Sequence, residues 1–157
     1  MASNKPKHLI PVAGSPLLGH TLRTLGTVGT KEVLMITHHL GDQIRGTFGS
    51  GSSLGLQITY KDQGEILGTG HALLKGETFI GKEPFLVVYG DLAITPKMLQ
   101  ALMKSHGPKR LGTAIGVEVE DVSQYGALVL KGSSLREIQE KPRSGGRGLI
   151  NGGIYLL

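Results

Sequence analysis

No cysteine occurs among the 157 residues. Disulfide scaffolds, thiolate zinc sites and cysteine nucleophiles are therefore excluded, and a reducing compartment is favoured. Tryptophan is absent too, and all aromatics together make up 4% of the chain, which leaves little stacking platform for bases. No apolar run approaches the roughly 18 residues of a membrane helix. The opening MASNKPKHLIPVAG carries Lys5 and Lys7 but no unbroken apolar stretch of the kind a secretory leader needs. These absences lead to the expectation of a cytoplasmic chain that binds neither membrane nor nucleic acid.

Glycine is what the chain has in excess: 25 residues, where an average near 7% would supply far fewer. Such a content implies many tight loops or close backbone approaches to a ligand. The hydrophobic share of 39% is enough for a core, and roughly 150 residues per domain makes this one domain, or one domain and a fragment of another. Seventeen Lys+Arg against twelve Asp+Glu give a net charge of +5. The basic residues are scattered, densest over 141–147, and form no finger, zipper or RNP pattern. They read as a solvated surface or as a site for a phosphorylated small molecule.

Along the chain, Ser15-Pro16 reads as a cap and first turn, with Leu18, Leu22 and Leu25 as the apolar stripe of the helix behind it. Residues 32–37 (EVLMIT) read as a buried strand, Leu40, Ile44 and Phe48 as a short helix, and 56–60 as a second strand. A helix follows over 68–75, then an apolar strand over 85–89. Thr95-Pro96 repeats the cap signal before a helix marked by Leu99, Leu102 and Met103. After this the rhythm changes to strands over 113–119, 127–130, 135–140 and 154–157. The pattern predicts an α/β chain, a three-layer α/β/α sandwich whose sheet is mainly parallel, with an antiparallel C-terminal part. In such sheets ligands sit at the carboxyl ends of strands, which points to Asp91, Gln63 and their loops.

Two motif matches fail on chemistry. Gly76 to Lys82 fits G-x-x-x-x-G-K, but Glu83 stands where a magnesium-binding hydroxyl belongs, and its carboxylate would repel a triphosphate. Gly49-Ser50-Gly51 lacks the third glycine of a dinucleotide fingerprint. His38-His39 has no third ligand at metal spacing and reads as a loop. Asp91, at the end of an apolar strand, could offer a hard oxygen to a magnesium–phosphate complex or simply cap a turn. Glu140-Lys141-Pro142 could grip sugar hydroxyls and phosphate, or merely leave a strand.

Taken in order, the stretches KPKHLIPVAGSPLL (5–18), QGEILGTGHA (63–72), LVVYGD (86–91), Tyr125-Gly126, Glu140-Lys141-Pro142 and NGGIY (151–155) resemble the sugar-1-phosphate nucleotidyltransferases. The resemblance implies a Rossmann-like fold and a magnesium-dependent reaction. A sugar 1-phosphate and a nucleoside triphosphate give a nucleotide-sugar and pyrophosphate. By that resemblance Lys7 neutralises phosphate charge and Asp91 holds Mg²⁺. Gln63, with the backbone at Gly68 and Thr69, receives the base. Gly126 leaves room for the sugar, Glu140 and Asn151 hold its hydroxyls, and Lys141 meets its phosphate. The L-G-T-G-H-A wording is most similar to members using UTP or dTTP.

The chain departs from the family pattern in two places. The G-x-G-T-R loop that holds the triphosphate does not occur in it, and neither does the region of a second metal ligand. The resemblance therefore implies that 1–157 is a single, partial catalytic domain with impaired turnover. The alternative is a non-catalytic subunit that binds nucleotide or sugar phosphate. The family's first strand is central in its sheet, and without it the exposed edges would favour self-association.

Overall fold

The computed structural model describes residues 6–157; Lys5, which opens the first family-like stretch, lies outside them. In chain order come a 3₁₀ turn (Lys7–Leu9), β1 (Pro11–Val12), β2 (Ser15–Pro16), α1 (Leu17–Thr27), β3 (Glu32–Thr37), α2 (Gly41–Phe48), β4 (Gln57–Asp62), α3 (Thr69–Leu74) and α4 (Glu77–Ile80). They are followed by β5 (Leu86–Val88), α5 (Pro96–Ser105), β6 (Thr113–Val119), β7 (Gly126–Lys131), β8 (Ser134–Glu140) and β9 (Gly148–Leu156). The chain forms two compact units, Met1–Glu83 with Gly90–Ala101, and Pro84–Tyr89 with Leu102–Leu157. Among the described residues no helix is long and apolar enough to cross a membrane.

In the first unit, the expected cap at Ser15 is instead strand. Val12 pairs Ser15 and Pro11 pairs Pro16 across a turn in which Ala13 and Gly14 have φ of 46° and 80°. Positive φ at both central residues makes a tight hairpin turn whose twist matches its strands. Ser15 is used by that pairing, so α1 starts one residue later than the sequence suggests, with Pro16 before it and no side-chain cap. The stripe is as expected: Leu18, Leu22 and Leu25 are buried. Leu18 and Leu22 join Leu9, Met35, Ile44, Leu56 and Ile58 in one apolar cluster. Each such side chain contributes about 1.5–3 kcal/mol on burial. β3 and β4 pair in parallel from Glu32↔Gln57 to Thr37↔Asp62, so their carboxyl ends lie level. The false phosphate-loop match is occupied by α4, a helix rather than a glycine-rich cradle.

The second unit holds one antiparallel sheet centred on β9, which pairs with β5, β6 and β7, while β7 also pairs with β8. The α/β reading holds, but among the described residues parallel pairing is confined to β3 and β4. β5, expected among the parallel strands, runs antiparallel to β9 through Leu86↔Leu156 and Val88↔Ile154. An apolar run reports burial and is silent on the partner. β9 also begins at Gly148 rather than near residue 154. Its glycines hide it from a propensity reading, yet one is required: a Cβ at Gly152 would stand 2.6 Å from the Ile115 carbonyl oxygen. That contact lies at the β-bulge between Ala114 and Gly116, where the backbones crowd.

Candidate functional site

In the first unit, the 3₁₀ turn presents Lys7, and Asp91 follows Gly90. The Lys7 Nζ donates to Asp91 Oδ2 at 2.5 Å. Burial works against the Asp91 carboxylate. The hydrogen bond and charge of Lys7 outweigh it, helped by Asp91's own N–H and by His8, and hold the pKa below its ordinary value. Asp91 is thus an ionised oxygen donor beside a cation. The His8 ring lies against Gly90, so close that a Cβ there would be 3.1 Å from His8 Cδ2. Burial pulls the His8 pKa down, Asp91 opposes, and Lys7 adds to the fall. The His8 Nδ1 is buried with no hydrogen-bond partner.

Gln63 leaves β4 with its N–H bonded to the Thr37 carbonyl at 2.7 Å. Its Nε2 donates to the Gly68 carbonyl at 3.2 Å. Asp62 accepts the Gly64 N–H at 2.6 Å, which turns the chain between them. Gly68 (φ 96°) precedes α3, whose first residue is Thr69. Gln63, Gly68 and Thr69 therefore sit in one loop-and-helix start. Beside them is a pocket of about 430 Å³ that sequence reasoning did not foresee, lined by Thr37, His38, Leu40, Asp42, Arg45 and Asp62. It lies at the carboxyl ends of the parallel pair, where open sheets take ligands. His38 Nδ1 is 3.9 Å from Asp62 Oδ1. Among the described residues no three His, Cys, Asp or Glu group to hold a metal. Mg²⁺ commonly uses one or two carboxylates and completes its shell with phosphate and water. Asp91 fits that minimal role.

In the second unit, Gly126 pairs with Glu140 across β7 and β8. A Cβ at Gly126 would meet Glu140 Oε1 at 3.1 Å and Ile138 Cγ2 at 3.0 Å, so the glycine keeps space over the carboxylate. Lys141 leaves β8 with a left-handed φ of 42°, its N–H bonded to the Tyr125 carbonyl at 2.9 Å. Such a backbone is unusual for lysine and projects an exposed side chain just past Glu140. Asn151 Oδ1 accepts the Gly153 N–H at 3.0 Å and the Tyr155 hydroxyl at 2.7 Å. The Tyr89 hydroxyl is 3.5 Å from that of Tyr155. Burial pushes the Tyr155 pKa up, Tyr89 and Glu140 push it further, and Asn151 opposes. Sequence reasoning missed the polar roles of Tyr89 and Tyr155, although each belongs to one of the family-like stretches.

A family model described as Nucleotidyl transferase matches residues 1–157. The chain is 32% identical over 148 residues to the bifunctional protein GlmU of Cupriavidus metallidurans, covering 92% of this chain and 31% of that protein. It is 32% identical over 154 residues to the low-salt glycan biosynthesis nucleotidyltransferase Agl11 of Haloferax volcanii, covering 96% and 43%. It thus spans about a third to under half of the length of these relatives. HddC from Yersinia pseudotuberculosis superposes with a TM-score of 0.79 at 25% identity, over 100% of this chain and 69% of that one. A candidate glucose-1-phosphate thymidylyltransferase from Bacillus anthracis gives 0.82 at 26% identity, over 99% and 63%.

Proposed function

Because the chain belongs to the nucleotidyl transferase family, among the sugar-1-phosphate nucleotidyltransferases, we propose that residues 1–157 form part of one catalytic domain joining a sugar 1-phosphate to UTP or dTTP. The sugar phosphate oxygen bonds to the α-phosphorus, the bond to pyrophosphate breaks, and pyrophosphate leaves. The observation that supports this best is the Lys7–Asp91 pair. Of all the expected site residues, these two are the ones whose opposite charges suit a metal–triphosphate complex, and they are bonded to each other. Mg²⁺ bound at Asp91 would supply neutralisation of phosphate charge. Lys7 then shares its ammonium between Asp91 and the phosphates. Gln63 and the backbone at Gly68 and Thr69 receive the base. The Gln63–Gly68 hydrogen bond opens to admit it. Glu140 and Asn151 hold sugar hydroxyls over the space left by Gly126, and Lys141 meets the sugar phosphate.

Pyrophosphate release from UTP or dTTP with a panel of sugar 1-phosphates tests this reading. Release that depends on both substrates and on Mg²⁺, and that Asp91→Asn abolishes, is the expected result. Release unaffected by Asp91→Asn would sink it. The 157 residues hold no G-x-G-T-R loop, and each charge-assisted phosphate contact is worth about 1.5–3 kcal/mol. We therefore expect this polypeptide alone to turn over below about 1 s⁻¹. If it binds both ligands with no turnover at all, the non-catalytic binding role is the better reading. We further propose self-association in the cytoplasm, because β3, apolar from Val33 to Ile36, pairs with β4 alone among the described residues and an unpaired edge recruits strands. Sedimentation at micromolar concentration decides it, and a monodisperse monomer would refute it.

A further inference from the structure

The Asn151 side chain is held by groups that leave its amide no choice of orientation. The Gly153 N–H reaches Oδ1 at 3.0 Å, and a backbone N–H can only donate. The amide oxygen must therefore face Gly153. The Tyr155 hydroxyl, 2.7 Å from the same oxygen, must donate its proton there as well. Its own oxygen keeps lone pairs, and the Tyr89 hydroxyl lies 3.5 Å away. The protons thus run in order from Tyr89 to Tyr155 to Asn151. A phenol is protonated at neutral pH, and burial pushes the Tyr155 pKa further up, so the donor keeps its proton. With both lone pairs of Oδ1 used, only the two N–H bonds of Nδ2 are left for a ligand.

We propose that Tyr155 is a positioning residue that fixes Asn151 as a pure hydrogen-bond donor, so that the site selects a sugar presenting an acceptor oxygen at that point. The inference rests on the reading of Asn151 as a sugar contact. A residue serving only the sheet would need no hydroxyl on the sheet face. Tyr155 instead spends its one proton on the amide. A carboxylate at 151 could accept the same two hydrogen bonds but would turn an oxygen toward the sugar in place of two donors. Asn151→Asp is therefore the sharpest discriminating change, because it preserves shape and reverses polarity.

The test compares the affinity of the whole chain for UDP-glucose with that for UDP, by calorimetry, so that the ratio isolates the sugar contact. Tyr155→Phe is expected to lower that ratio about three- to tenfold, the range of one neutral hydrogen bond, with UDP affinity unchanged. Asn151→Asp should lower it more than Asn151→Ala, and Tyr155→Phe should add nothing once Asn151 is alanine. A ratio untouched by Tyr155→Phe, or lowered equally in the Asn151→Ala background, overturns the proposal. If Tyr155→Phe does not fold, Tyr89→Phe, which removes only the outer hydroxyl, is expected to give a smaller drop in the same direction; no drop overturns it. Failure of the wild-type chain to bind UDP would count against the proposed function instead. The Asn151 side-chain amide resonances then decide: they must move on Tyr155→Phe, and unmoved signals overturn the inference.

Discussion

The two compact units hold themselves together differently, and they offer different chemistry. In the first, Leu9, Leu18, Leu22, Met35, Ile44, Leu56 and Ile58 close a cluster between helices and a parallel strand pair. In the second, β9 carries three neighbouring strands, while Val117, Val129, Leu130 and Leu135 stay substantially exposed. One unit rests mainly on apolar burial, the other more on its hydrogen-bonded ladder. Their polar residues divide similarly. Lys7 and Asp91 carry full, opposed charges, whereas Asn151, Tyr155 and Tyr89 form a neutral chain of hydroxyl and amide. On the proposed reading, the charged pair serves the triphosphate and the neutral donors serve the sugar.

The largest effect should come from the core. Leu22 is 1% exposed, and Leu22→Ala is expected to cost about 2–5 kcal/mol, against under about 1 kcal/mol for the exposed Val129→Ala. Urea unfolding of both variants checks this, and equal costs would show that burial at Leu22 does not hold the first unit. Next come the polar groups. Lys7→Ala should weaken triphosphate binding about ten- to a hundredfold, more than Tyr155→Phe weakens the sugar contact, because a charged donor is lost rather than a neutral one. Calorimetry with UTP ranks them, and the reverse order would break the assignment of charge to nucleotide. Two glycines sharpen the comparison further. Gly152→Ala forces a methyl onto the Ile115 carbonyl and should destabilise by about 1–3 kcal/mol. Gly46, in α2 with nothing near its missing Cβ, should gain about 0.5–1 kcal/mol on substitution by alanine. Melting curves that shift in the same direction for both would contradict this.

The smallest effect is electrostatic. The Ser123 N–H and hydroxyl, with the Gly146 N–H, hold the exposed Asp121 carboxyl below its ordinary value of 3.8. A depressed carboxylate stabilises the fold fully above its unfolded pKa, and that contribution is lost as pH falls through the lower folded value. Carbon NMR of the Asp121 carboxyl should therefore give a midpoint below 3.8, and Asp121→Asn should remove this part of the acid sensitivity. A midpoint at or above the ordinary value would show that the three donors do not hold the charge.

Local signals were readable where local forces decide. The 3.6-residue spacing of Leu18, Leu22 and Leu25 found the buried face of α1. β3 has the bounds its apolar run suggested, Glu32–Thr37. Thr95 caps α5 through its hydroxyl, which accepts the Met98 N–H at 3.3 Å. Met103, read as part of the apolar stripe of α5, is 37% exposed, because three- and four-residue spacing marks a face without fixing how far round it burial extends. Ser15 could have served a helix or a hairpin, and the backbone pairing with Val12 won. The glycine-rich start of β9 and the antiparallel partner of β5 were illegible, since both depend on strands distant in sequence. The candidate residues could be named from their motifs. The proton order at Asn151 could not, because it follows from three side chains and one N–H meeting in space.

The central place of β9 also governs when the second unit can fold. β5 pairs with β9 as its only strand partner among the described residues, and β9 is made well after it. During synthesis the residues of the first unit's cluster, all of them before β5 in the sequence, emerge ahead of it and can condense. The Leu-Val-Val run of β5 must wait, apolar and without its ladder, until 148–156 leave the ribosome. Closing so long a loop is slow, and a waiting strand of this kind is a target for chaperones and for aggregation.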